Sequence, residues 1–331
     1  MDLRQLRYFL AVAEAGHVTR ASEQLGIQQP PLSQQIRALE AGLGVVLFER
    51  HARGVTLTEA GRLLQAEARA VVGRAEALQR RMAEVAAGRQ GALKLGFTSS
   101  AAAHAFLPRV LRACRQQYPG IQVELAEFNA AELTEEMLAG RLHCGFLRVP
   151  VAAPPGLRFE TLFDEPALLV LPNDHPAVPQ GGGPVPLAAL RDDGFILVRR
   201  PGAPGLYAEL LALCRQAGFE PRVVAEVPRM LTNLNLVAAG AGVSVVPASM
   251  RGVHAHALAY CGIAVPSGAT PLRAPMTLVS REAQPTGPAA TFLALVRELN
   301  ARAAEPPGDD VGARVGAQVG DQAVPSASAT G

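Results

Sequence analysis

Between Thr58 and Ala87 one apolar repeat constrains this chain more than any other feature. Leu64, Val71, Leu78 and Val85 recur every seven residues, and Ala68, Ala75 and Met82 stand four further on each time. Three such heptads predict a long helix with a narrow apolar seam, the pattern by which one helix packs along another. Small alanines in the seam favour close approach. The alternative is a helix packed on its own domain, but a long helix joining two globular parts usually lacks a local surface to bury such a stripe. The repeat therefore predicts self-association through residues 59–87, with Leu64, Val71, Leu78 and Val85 at the contact, and a globular part on each side.

Upstream, Leu3, Leu6, Leu10 and Ala13, widened by Phe9 and Val12, predict an amphipathic helix over residues 3–15 that stops at Gly16. A short second helix is expected from Thr19 to Leu25, before Gly26. A third opens at Gln29-Pro30-Pro31, where proline is tolerated because the first helical amides have no intrahelical acceptor. Leu32, Ile36 and Leu39 share one face of it, leaving Pro30, Ser33, Gln34 and Arg37 on the other. Small polar residues with one arginine, on a helix that follows a glycine turn, suit the base edges and phosphates of a major groove. A solvated surface face is the bland alternative. The next segment favours the first reading: Leu47–Thr58 has a basic tip with a glycine between β-prone residues, which predicts a hairpin wing with Arg50 and Arg53 against phosphates. Bulk charge does not supply the attraction. The formal net charge is +2, and residues 1–91 hold twelve arginines against nine acids, so binding must come from local placement of arginines.

Ala86-Ala87-Gly88-Arg89-Gln90-Gly91 ends the long helix and reads as a hinge over 88–91. Beyond it, strand-like runs (93–97, 121–127, 144–147, 167–171, 195–198, 223–227, 242–246, 276–280) alternate with helical stretches such as 105–117, 132–139 and 206–217. That alternation predicts an α/β domain with largely parallel sheets over residues 92–304. Residues 305–331 lack aromatics and periodicity and are expected to be a disordered tail. Thr98-Ser99-Ser100 sits at a strand-to-helix junction, where hydroxyls and free amides suit an anion. Arg199-Arg200-Pro201-Gly202-Ala203 precedes another helix, and two such ends facing one cleft would hold a carboxylate. Arg148, ending the 144–147 strand, falls at the cleft edge. For the serines simple helix capping is the alternative, and for Arg148 a surface ion pair.

Other functions find little support. The first residues lack the features of a secretory signal, and Leu236–Val246 is about half the apolar length a membrane span needs, so a cytoplasmic protein without membrane contact is expected. Cys114, Cys144, Cys214 and Cys261 form no C-x-x-C pair and read as buried reduced thiols. Gly240-Ala241-Gly242 precedes a strand rather than a helix, and His254 with His256 lacks nearby acids or cysteines. Neither an enzyme, a cofactor nor a metal is expected. A transport-type binding protein would fit the C-terminal domain alone.

Asp2–Gly61 closely resembles the DNA-binding region of the LysR family in five ordered blocks: Leu3–Phe9, Thr19–Ser22, Gln29–Glu40, Leu47–Arg50 and Leu57–Gly61. The likeness continues through Leu93–Phe97 and Leu236–Pro247 and covers essentially residues 1–300. It implies a winged helix-turn-helix over residues 1–58, a dimerising linker helix over 59–87, and an effector domain of two Rossmann-like lobes similar to periplasmic binding proteins. Lobe I would take residues 92–162 and 268–304 and lobe II 163–267, with crossings near Thr161–Asp164 and Val265–Gly268. The partners implied are double-stranded promoter DNA, a small-molecule effector, a second copy of the chain in a homodimer or homotetramer, and RNA polymerase. On this resemblance the DNA-binding residues are Thr19, Arg20, Gln28, Gln29, Pro30, Pro31, Ser33, Gln34, Arg37, Arg50 and Arg53. The effector-binding residues are Thr98, Ser99, Ser100, Asn129, Arg148, Pro201, Gly202 and Ala203. Within the family the chain is similar to regulators of aromatic-compound degradation. Two departures stand out: Pro31, where Ala or Ser is common, and Ala130, where some aromatic-acid regulators carry a threonine.

Overall fold

A computed structural model describes residues 1–148, 153–198, 205–265 and 268–304. The chain divides into two units, Met1–Gly91 and the remainder from Ala92, each with its own core.

In the first unit, α1 (Leu3–Ala15) begins at a reciprocal cap: the Gln5 amide donates to Asp2 Oδ1 at 2.8 Å, and the Asp2 amide donates to Gln5 Oε1 at 3.1 Å. It ends at Gly16, whose φ of 63° suits the left-handed cap. Next come α2 (Val18–Gln24), α3 (Gln29–Leu43), the antiparallel hairpin β1 (Phe48–His51) and β2 (Gly54–Leu57), and the long α4 (Glu59–Ala86). Leu6, Phe9 and Val12 of α1 pack with Leu32, Ile36 and Leu39 of α3, with Leu47 and Phe48, and with Ala68 and Val72 of α4. Burying each large member fully contributes about 1.5–3 kcal/mol. Glu40 Oε1 accepts from the Leu47 and Phe48 amides (2.8 and 3.3 Å), fastening α3 to the hairpin. The Val55 amide donates to Gly16 O at 2.9 Å, so the hairpin is also tied to the end of α1.

The second unit runs β3 (Gly91–Phe97), α5 (Ser99–Ala102), α6 (Phe106–Gln117), β4 (Ile121–Glu127), α7 (Ala130–Leu138), β5 (Cys144–Leu147), β6 (Leu157–Pro172), β7 (Val185–Pro186), β8 (Gly194–Val198), α8 (Gly205–Gln216), β9 (Arg222–Val227), α9 (Met230–Ala238), β10 (Ser244–Pro247), β11 (Leu258–Cys261), β12 (Ile263–Ala264), β13 (Arg273–Arg281) and α10 (Gly287–Ala304). The main sheet has the order β10-β6-β13-β5-β3-β4, with β11 also on β6, and β8 pairs with β9. β3 with β5 and β8 with β9 are parallel, as the alternation predicts. The pairs around β6 are not: β10, β11 and β13 all run antiparallel to it, and β13 is antiparallel to β5 as well. The reason is topological. β6 carries the chain out of the first lobe and β13 brings it back, so the two must run in opposite directions.

β6 is one strand whose first part, Leu157–Pro166, pairs with β13 and whose second part, Ala167–Pro172, pairs with β10 and β11. The lobes thus meet near Pro166/Ala167 and, on the return, near Leu272–Ala274, where the Ala167 amide donates to Leu272 O at 3.1 Å. Both places lie downstream of the stretches implied by the family resemblance; of the second stretch, Pro266 and Ser267 fall outside the described residues. Apolar layers line both faces of the sheet in each lobe, for example Leu95, Phe146 and Phe292 opposite Leu133 and Met137 in the first. Residues 305–331 lie outside the described residues.

Candidate functional site

On the first unit, Thr19 and Arg20 of α2, Gln28 before α3, and Gln29, Pro30, Pro31, Gln34 and Arg37 of α3 are all exposed. Pro30, Pro31, Gln34 and Arg37 line one shallow open concavity with Ala38, which the sequence reading passed over. Ser33 departs from the expected face. It is only 9% exposed, because the helical advance sets it between Arg37 and the core residue Ile36, on the side by which α3 packs into its unit. Arg50 and Arg53 are exposed on the hairpin, with Arg53 in its turn. Arg7, Arg69 and Arg89 are each paired with a glutamate, whereas among the described residues Arg20, Arg37, Arg50 and Arg53 have no acidic partner. Arg4 of α1 and Arg62, Arg74, Arg80 and Arg81 of α4 have none either, so the uncompensated positive charge is spread over the unit and includes α2, α3 and the wing.

Along α4 the seam divides. Leu64 and Ala68 turn into the unit's own core, while Val71, Leu78, Met82 and Val85 remain 44–58% exposed. The local surface that the sequence reading denied to this helix exists for its first turns, supplied by α1 and β2.

In the second unit, Thr98 caps α5, its Oγ1 accepting from the Ala101 amide at 3.3 Å and lying 3.3 Å from Ser100 Oγ. Ser100 is buried, and Ser99 is half-buried with no side-chain hydrogen bond among the described residues. Asn129 caps α7 in a reciprocal box with Glu132, each bond 2.9 Å. Pro201, Gly202 and Ala203 fall outside the described residues.

Arg148 is not at a surface. It is 5% exposed, and its guanidinium spends every donor inside the protein. Nε and Nη2 donate to Ser100 O (3.2 and 2.7 Å), Nη2 also to Ser249 Oγ (2.9 Å), and Nη1 to Ala274 O (3.4 Å) and to Glu165 Oε1, its ion-pair partner at 2.6 Å. Five N–H groups meet five contacts, so none is left for a ligand. Glu165 in turn accepts from the Ser249 amide (2.6 Å) and hydroxyl (2.9 Å). Burial lowers the Arg148 pKa, and Glu165 opposes that shift. Arg148 therefore belongs to a buried knot where the lobes meet, not to the cleft wall expected from sequence.

The sequence reading missed a second arginine. Arg229 is the N-cap of α9 and lies 3.2 Å from Glu132 Oε2 of α7, an ion pair joining the two lobes. A cation at a helix N-terminus opposes the helix dipole, and that misfit, with Pro228 before it, was the available signal.

All four cysteines are buried, and burial pushes their thiols up, Cys214 to about 11. Among the described residues no group of three potential metal ligands is found, and no helix is long and apolar enough to cross a membrane.

Residues 3–62 match the family described as bacterial regulatory helix-turn-helix protein, lysR family, and residues 86–301 match the LysR substrate binding domain. Similar curated proteins include the HTH-type transcriptional regulator AlsR of Bacillus subtilis, 37% identical over 76% of this chain and 82% of its own length. The HTH-type transcriptional regulator TfdS of Cupriavidus pinatubonensis is 39% identical over 76% of this chain and 84% of its own. Among solved structures, CbnR, a LysR family transcriptional regulator, is 34% identical with a TM-score of 0.77, covering 90% of this chain and 100% of that one. Full-length CbnR complexed with its target DNA gives 33% and 0.72, over 91% and 100%.

Proposed function

This chain belongs to the LysR family of bacterial transcriptional regulators, and from that premise we propose that α3 reads base edges through Gln29, Pro30, Pro31, Gln34 and Arg37 while Arg50 and Arg53 of the wing hold phosphates. Thr19, Arg20 and Gln28 flank the reading helix. The observation that carries this reading is the exposed face of α3, where Pro30, Pro31, Gln34 and Arg37 line one open concavity, together with the exposed Arg50 and Arg53 of the wing, which have no acidic partner among the described residues. The solved DNA complex of CbnR supports it. Ser33 acts as packing rather than as a base contact.

The exposed part of the α4 seam, Val71 to Val85, pairs with a second copy, so that two reading heads address one two-fold DNA site. Leu78→Glu with Val85→Glu places like charges along that seam. Sedimentation velocity should then show the dimer, or the tetramer built from it, falling to monomers; unchanged sedimentation would move the interface elsewhere.

In the second unit a small carboxylate, aromatic or aliphatic, binds between the lobes near Ser99 and the α7 and α9 N-termini. It shifts the lobe equilibrium and thereby the spacing of the reading heads, and RNA polymerase reads the result at the promoter. The protein acts by binding, not by catalysis. A transport-type binding protein has no use for residues 1–91.

The test is a mobility shift on DNA upstream of the protein's own gene at rising salt. Specific binding that weakens steeply with ionic strength is the expected result. Gln34→Ala should cost about 1–3 kcal/mol on the specific site and little on random duplex. Arg53→Ala should weaken both alike and lower the salt slope by about 1. Equal losses on random DNA for both variants would sink the assignment of α3.

A further inference from the structure

We propose that Arg229 is the residue that takes the effector's carboxylate, and that Glu132 is the internal acid occupying it when no effector is bound. This rests on the reading that a small carboxylate binds between the lobes; it adds which charge receives it and which contact is given up.

Three observations converge on Arg229. The first is that Arg148, the cation expected from sequence at the cleft edge, is fully engaged, having used all five donors on Ser100, Glu165, Ser249 and Ala274. The second is that Arg229 is underused. Its Nη2 meets Glu132 Oε2 at 3.2 Å, yet its Nη1 is buried and has no partner among the described residues. A guanidinium is built to grip a carboxylate with two parallel N–H groups, and here one prong is engaged while the other is withdrawn from water and unmet. The third is location. Arg229 leads into α9, which packs against α5, the helix that Ser99 opens, and its ion pair reaches Glu132 at the α7 cap.

Glu132 is suited to being a provisional partner. Its Oε2 already accepts from the Asn129 amide at 2.9 Å, so when Arg229 is taken away the carboxylate keeps its bond within the α7 cap. Both side chains are only about one-third exposed, 34% for Arg229 and 36% for Glu132, which shields the pair in part while leaving an approach from solvent. An incoming carboxylate exchanges a single-pronged contact for a two-pronged one. It also releases an ion pair that ties α7 of one lobe to α9 of the other, so binding and lobe rearrangement become one event.

The test is calorimetric titration of the full-length protein with acetate, benzoate and succinate, each against its neutral amide. At least one acid should bind while its amide does not. Arg229→Gln should weaken that acid by about tenfold or more, and Arg229→Lys, which keeps the charge but not the fork, by less. Glu132→Gln, which preserves a capping-box residue, should tighten binding about three- to tenfold because the ligand no longer displaces an anion. Opposite signs separate ligand contact from simple loss of the inter-lobe tie, which both variants break. Circular dichroism of each variant confirms that it is folded. If the acid binds Arg229→Gln as it binds the parent, or if the Gln variants at 132 and 229 shift affinity in the same direction, the assignment of Arg229 is wrong and the carboxylate reading stands. If none of the three acids binds the parent, or the amides bind as well, the carboxylate reading fails and takes this inference with it.

Discussion

Glu165→Ala is expected to destabilise the second unit by about 3–5 kcal/mol, the cost of stranding a buried arginine without its counter-ion. Arg148 and Glu165 are 5% and 8% exposed, and the ion pair is 2.6 Å long. Removing the acid deletes the acceptor of one Nη1 proton and frees the Ser249 amide and hydroxyl, which both donate to Glu165. The guanidinium cannot swing out to water, because Ser100, Ser249 and Ala274 hold its other donors. Glu165→Gln keeps the shape and an acceptor for Ser249 and should cost less. The double change Arg148→Met with Glu165→Leu removes both charges and should recover much of the loss, since a buried pair is worth little against an apolar pair of similar volume. Urea unfolding of the three variants checks the order; equal midpoints for Glu165→Ala and the parent would mean that the knot contributes nothing.

The second large effect is expected at Gly54, where the wing begins its return. Its φ is 137°, and a Cβ built there would stand 2.2 Å from Gly16 O, the carbonyl that accepts from the Val55 amide. Gly54→Val combines an overpacking cost of about 1–3 kcal/mol with a backbone penalty of about 1–3 kcal/mol. The wing must leave α1 to relieve the clash. Because the two units have separate cores, the unfolding transition of the first should fall by several degrees or more while that of the second stays in place. DNA affinity should fall with it, and with a shallower salt dependence because Arg50 and Arg53 lose their placement. A single shared shift of both transitions in calorimetry would refute this separation.

What was legible in the sequence followed local periodicity. The helices of residues 1–58, the wing, and strands such as 121–127 and 144–147 announce themselves by apolar spacing and by glycine or proline at their ends. The first part of β6 was missed, although Leu157, Phe159, Thr161 and Phe163 alternate in the sequence; in the structure the register slip leaves Thr161 exposed and Leu162 half-buried. Polar partners at Arg158, Glu160 and Asp164 disguised it as a loop. The failures at the site share one cause: they depend on what lies across space. Nothing near Arg148 in sequence reveals Glu165, Ser249 or Ala274, and nothing near Leu64 reveals that α1 and β2 cover the first turns of α4. Ser33 sits at the edge of its helix face, where spacing alone cannot say which neighbour prevails. Arg229 is the instructive case, since the pairing with Glu132 was hidden but the electrostatic misfit at the head of α9 was in plain view.

The passage between lobes has a mechanical consequence. Large domain swings need a few loop residues free to change φ and ψ, yet here the crossing runs through two strands, β6 and β13, laddered to each other as far as Pro166↔Arg273 and tied at the crossing by the Ala167 amide on Leu272 O. Such a connection behaves as a flexure, not a joint: it yields by torsion along its length and springs back, so displacement is small and restoring force large. A signal carried this way is graded by stiffness.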